Sequence, residues 1–151
     1  MKNAAVHFAI ALTALVACGA AEELAPKWGG TGFPALLASA AYFASKRRAA
    51  PALLYALAAG AAEDALSSLP AATSASVFAA AALCVRASRV NPILWFPLWC
   101  VFQGWLWIWL GGAAGNVFTR MLAAIPLSLA TFAATAYALA WLDGKAGANE
   151  D

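Results

Sequence analysis

Charge in this chain is confined to short clusters, and the clusters, with glycines and prolines, leave six apolar runs between them. The runs cover about residues 4–21, 32–45, 50–69, 71–87, 93–111 and 121–142. A membrane-crossing helix needs about 20 predominantly apolar residues, within a range of about 17–25. Most of the runs meet that length, and the second falls short. The first ends at Glu22-Glu23-Leu-Ala-Pro-Lys27-Trp-Gly-Gly-Thr31, the second at Lys46-Arg47-Arg48 and the third at Pro70. Ser88-Arg89-Val-Asn-Pro92 closes the fourth, Gly111-Gly-Ala-Ala-Gly115-Asn follows the fifth, and a polar tail from Asp143 follows the sixth. Only 11% of the 151 residues are charged, against about 25% in soluble domains. The expected fold is therefore all-α: a polytopic membrane bundle of about six transmembrane helices, in a single domain over residues 1–151.

Lys and Arg accumulate on the cytoplasmic side of membrane proteins and set the orientation. With the N-terminus inside, the inner segments hold Lys2, Lys46, Arg47, Arg48, Arg86, Arg89 and Lys145, while Lys27 and Arg120 fall outside. Both termini are then expected in the cytoplasm. The net charge is +2 and the cations lie in short loops, so no nucleic-acid partner is expected, since that needs a basic face or stripe. Alanine dominates most runs and lets helices approach closely, which predicts a compact bundle.

The start of the chain allows two readings. A short basic N-terminus before an apolar run resembles a secretory signal, and Leu15-Val16-Ala17-Cys18 resembles a lipobox that would make Cys18 a lipidated N-terminus. The six-span topology instead retains the first helix, and that is the simpler reading. Cys18, Cys84 and Cys100 are far apart in apolar runs without a CxxC or Cys/His spacing. They read as small apolar packing groups, and neither zinc nor thioredoxin-like chemistry is indicated.

Glu63-Asp64 is the acidic pair inside the third run. Ionisable groups at the middle of a membrane helix cost about 2.5–3.5 kcal/mol on insertion scales, so they usually face protein or water. Counting from Arg48 at 1.5 Å per residue puts Asp64 roughly 24 Å along the helix, near the outer boundary of a core of about 30 Å. The pair marks either a helix end or a functional surface. Gly60, Asp64 and Ser67 or Ser68 share one helical face, while Glu63 lies about 100° away from Asp64. Asp64 is expected to face the bundle and Glu63 the outer water or a partner. Arg120, at the outer start of the sixth run, is the natural ion-pair partner for either carboxylate.

The fifth run carries Trp95 and Trp99 near its inner end and Trp105, Trp107 and Trp109 near its outer end. That is the arrangement of interfacial aromatic belts; the alternative is a partner or headgroup surface. Gln103, between the two groups, is suited to bonding a neighbouring helix. His7 is the single histidine and has no metal-ligand neighbours. No Ser/His/Asp arrangement, P-loop or GxGxxG is present, so no catalytic residue, metal or cofactor is expected.

The order of these features resembles the rod shape-determining protein MreD family. Gly32-Phe33-Pro34-Ala-Leu-Leu is similar to that family's proline near the start of the second span, followed by a basic inner loop, here Lys46-Arg47-Arg48. Gly60-Ala-Ala-Glu-Asp64-Ala-Leu-Ser-Ser-Leu-Pro70 resembles its glycine-xxx-aspartate third span, closed by a Pro-Leu-Gly-like turn. Ala35 stands where the family often has an acidic residue, and Ala71-Ala72 replaces the expected Leu-Gly. The match covers chiefly residues 32–86. The resemblance implies a non-catalytic scaffold of the cell-elongation machinery in the bacterial inner membrane. It would bind an MreC-like bitopic partner, act on peptidoglycan synthases indirectly and contact membrane lipid, with Gly60 and Asp64 as its key positions. A second class fits the same composition: the substrate-binding membrane subunit of an energy-coupling-factor vitamin transporter, whose site would need convergent polar groups near the outer face. Glu63, Asp64, Arg120, Asn116 and the outer tryptophans are the residues available to form it.

Overall fold

In a computed structural model the chain forms six α-helices: α1 (Lys2–Gly29), α2 (Ala35–Lys46), α3 (Ala49–Leu66), α4 (Thr73–Ser88), α5 (Pro92–Gly111) and α6 (Val117–Ala148). The structure describes residues 2–29, 34–67, 70–88, 91–111 and 117–148, and no strand occurs among them. Ala5–Leu24 within α1 is long and apolar enough to cross a membrane, and Thr73–Ser88 and Ile93–Gln103 are shorter apolar helices.

Helix α2 is the centre of the molecule. It packs against each of the other five helices, and every residue from Ala35 to Ala44 is buried. Six of those ten are Ala or Ser, whose small side chains let surrounding backbones come close on all sides. At 12 residues the helix is about 18 Å long, shorter than a bilayer core of about 30 Å. The other five helices enclose it along that length. Phe43 on α2 meets the Tyr55 ring of α3 at 4.4 Å, and Phe96 on α5 meets Phe132 on α6 at 5.0 Å.

The outside is apolar. Phe8, Leu54, Leu94, Trp109 and Tyr137 are each about 70% exposed or more, while the fully buried set includes Ser39, Ser74 and Ser128. Two boundaries differ from the sequence expectation. Helix α1 runs on through Glu22, Glu23 and Pro26 to Gly29 and does not stop at residue 21. Helix α6 likewise continues past Asp143 to Ala148, because Asp143 is taken up in tertiary contacts and is not the start of a free tail.

Candidate functional site: carboxylates at helix ends

Each helix leaves its first N–H groups and last C=O groups without intrahelical partners. In a bundle those groups need polar side chains, and Glu22, Asp64 and Arg86 are placed on them. Helix α4 begins at Thr73 and has Ala72 before it, a residue with no side-chain acceptor. Asp64 of α3 supplies one: its Oδ1 accepts from Ser74 N at 2.8 Å and its Oδ2 from Ala75 N at 3.3 Å. These are the N–H groups that an ordinary N-cap side chain serves, here served from a neighbouring helix. A carboxylate also complements the positive end of the helix dipole.

Gly60 makes that reach possible. A Cβ at position 60 would lie 2.6 Å from both Ser74 O and Ala75 N, and closer still to Ala75 Cα. One helical turn separates Gly60 from Asp64, so the glycine brings the start of α4 onto α3 and the aspartate then ties it there. Ala72 turns the chain between the two helices with φ 67°, a left-handed conformation that costs a non-glycine residue roughly 1–2 kcal/mol.

The same device closes α2. Pro34 at its N-cap makes no side-chain cap bond, and Glu22 of α1 accepts from Leu36 N at 2.7 Å. The Glu22 carboxyl also meets that of Glu63, and Gln103 Nε2 of α5 donates to Glu63 Oε1 at 3.3 Å. Glu22, Glu63, Gln103 and the start of α2 thus converge from four helices. Deeper in the bundle, Tyr55 donates to Ser39 Oγ at 2.8 Å, and Ser39 donates to Leu36 O at 2.8 Å.

The opposite end of α2 is held by cations. Arg86 of α4 donates to Ala44 O at 3.2 Å and to Arg47 O at 2.6 Å, where the negative end of the helix dipole favours a guanidinium. Arg47 pairs with Asp143 of α6, and Tyr42 donates to the other Asp143 oxygen at 3.1 Å.

As helical phase predicts, the structure brings Gly60 and Asp64 together on α4, with Asp64 facing the bundle. Glu63 departs from the sequence expectation. The residue is half-buried and turned to Gln103 and Glu22, not to outer water. The 100° separation along α3 is kept, and it directs the two carboxylates to different helices. The side chains of Arg120 and Trp107 are not among those described, and Asn116 lies outside the described residues. Trp105 and Trp109 are exposed and stack at 5.8 Å. Trp95 and Trp99 are half-buried with enclosed indole N–H groups, so they do not offer the water-facing donor of a belt. Glu22 is the residue that sequence reasoning missed. Glu22-Glu23 read only as the end of the first run, with no local signal of the distant helix start that Glu22 caps.

Among the described residues no group of three or more His, Cys, Asp or Glu side chains is arranged to hold a metal ion. Comparison with protein-family models, with curated proteins and with solved structures returns no significant match.

Proposed function

We propose that this chain is a multi-pass protein of the bacterial inner membrane, with both termini cytoplasmic, that acts as a non-catalytic scaffold of the MreD type. In this role it binds an MreC-like bitopic partner and supports peptidoglycan synthesis and rod shape through the synthases that partner engages. The membrane reading is supported by the distribution of polarity: large apolar side chains cover the outside, and most polar contacts join helices to one another. Exposed apolar surface on this scale marks a membrane or partner-facing protein.

One observation carries the scaffold reading. The residues that bear the family resemblance, Gly60, Asp64 and the turn after Pro70, form one structural unit at the α3–α4 junction. Within that unit the departure from the pattern is Ala71-Ala72, and Ala72 holds a left-handed backbone, the conformation that glycine favours. The backbone thus retains what a Pro-Leu-Gly turn provides.

Depletion of the protein in its native cell should round the cells, and affinity capture of the full chain should retain a bitopic partner with a large external domain. Normal rods after depletion would overturn the reading. The convergence of Glu22, Glu63 and Gln103 favours the transporter-subunit alternative. Stoichiometric co-purification of a vitamin would establish that alternative and sink the scaffold.

A further inference from the structure

Helix α5 is packed on one side. Its Phe96 meets Phe132 of α6, and its buried Gln103 reaches Glu63 of α3. At about 100° per residue, Leu94, Leu98, Val101, Phe102, Trp105 and Trp109 fall within an arc of about 100° on the opposite side. All six are exposed, and Leu110 is the one other exposed large apolar side chain described on α5. Leu94, Leu98, Val101 and Trp105 follow one another at intervals of 4, 3 and 4 residues. That is the a/d rhythm of a seam between two helices.

The aromatic members of this face hold one another in place. The Phe102 ring stacks on Trp105 at 6.1 Å, Trp105 stacks on Trp109 at 5.8 Å, and Trp99 meets Phe102 edge-on at 5.8 Å. Side chains already fixed lose little freedom on binding, so the surface is preformed. The exposed Phe8, Tyr137 and Trp141 on other helices stack on no ring among the described residues. No charged residue lies between Arg89 and Arg120, so the face asks for no charge in its partner.

A second copy of the chain is the occupant that matches. The six side chains leave roughly 650 Å² uncovered in each copy, so a pair can bury up to roughly 1,300 Å². Specific protein–protein interfaces bury about 1,200–2,000 Å². Between helices in lipid, close packing and not apolar transfer drives association. Acyl chains cover any apolar surface alike, whereas a seam with a/d spacing interlocks with its own repeat as knobs into holes.

We propose that two copies pair through α5 in the same orientation, with Leu94, Leu98, Val101 and Trp105 along a parallel seam flanked by Phe102 and Trp109. The common orientation rests on the membrane reading given above, because copies inserted alike share a two-fold axis along the membrane normal. In such a pair each seam residue meets its own counterpart.

The test uses the full chain in its native membrane, with Cys18, Cys84 and Cys100 replaced by alanine and single cysteines introduced. Counterparts in a parallel seam stand within the Cα separation of about 4.4–6.8 Å that a disulfide spans. Mild oxidation should link two copies at Leu94→Cys, Leu98→Cys and Val101→Cys, and not at Leu54→Cys, which is exposed on α3. A second measurement keeps the native cysteines and reads energy transfer between N-terminally labelled copies in vesicles. Trp105→Ala/Trp109→Ala should raise the dissociation constant of the pair by about tenfold or more. An unchanged constant overturns the pairing through α5. Absence of links at all three positions, or equal links at Leu54→Cys, also overturns it; lipid then covers α5, and the membrane reading stands. A link formed only between Leu94→Cys and Trp105→Cys copies means antiparallel pairing, which overturns the parallel seam and the common orientation a membrane imposes. An adduct with the mass of another protein gives the surface to that protein and refutes the pair.

Discussion

Replacing Gly60 by alanine tests the α3–α4 junction most directly. The added Cβ would stand 2.6 Å from Ser74 O and Ala75 N, whereas non-bonded heavy atoms sit comfortably at about 3.5–4.0 Å. The helices must separate by roughly 1 Å to restore contact. Asp64's 2.8 Å bond to Ser74 N would then stretch beyond the useful range of about 3.2 Å, and its longer 3.3 Å contact with Ala75 N would be lost. Overpacking costs about 1–3 kcal/mol and loss of a cap about 0.5–2 kcal/mol. Alanine's better helix propensity offsets about 1 kcal/mol of that. The net expectation is a loss of about 2 kcal/mol, a factor of about 30 in the folded-to-unfolded ratio. Gly144 supplies the control, since it is helical and a Cβ there meets nothing within 4 Å. Gly144→Ala should therefore be neutral or stabilising by up to about 1 kcal/mol. Equilibrium unfolding of the purified chain in detergent, followed by circular dichroism, reads both variants. The reasoning is refuted if Gly60→Ala is as stable as Gly144→Ala.

Four further outcomes follow from the same geometry. Asp64→Ala should destabilise by about 0.5–2 kcal/mol but add little in a Gly60→Ala background, where the cap is already lost; full additivity in a double-mutant cycle would separate the two residues. Ala72→Gly should stabilise the chain by up to about 1 kcal/mol by relieving the left-handed strain, and a loss of stability in the same unfolding assay would contradict the turn described. Asp143→Ala should cost more than Arg47→Ala, because it strips a partner from both Tyr42 and Arg47; the order of the two midpoints checks it. Gln103→Leu should lower stability by about 1–3 kcal/mol by leaving Glu63 short of a donor, whereas an unchanged midpoint would place Glu63 in water.

The helix count and order were legible because long apolar runs broken by charges, glycines and prolines mark helices and the turns between them. The Gly60–Asp64 face was legible as well, because helical periodicity alone puts the two residues one turn apart. Glu63 was not. Periodicity gives a direction relative to Asp64 but does not say which helix stands in that direction, and the expectation of outer water or a partner assumed that no helix of this chain did. Glu22 is 41 residues from Glu63, and their meeting depends on how α1 and α3 pack around α2. Asp143 read as a tail residue because its partners, Tyr42 and Arg47, are about a hundred residues earlier. Helix ends were the weakest part of the reading for a related reason. The groups that cap α2 and α4 come from other helices, so the local sequence at Pro34 and Ala72 carries no cap to recognise.

The long sequence separation between α2 and Asp143 has a consequence for biosynthesis. On the proposed membrane reading, helix α2 is too short to cross a bilayer by itself, and its far end is latched by a residue made about a hundred positions later. At translation rates of about 5–20 residues per second, that interval lasts on the order of 5–20 s. For all of it the centre of the finished protein has no completed surroundings. On that reading α2 can pack against α1, α3 and α4 as each is made, and the latch at its far end closes only when α6 arrives.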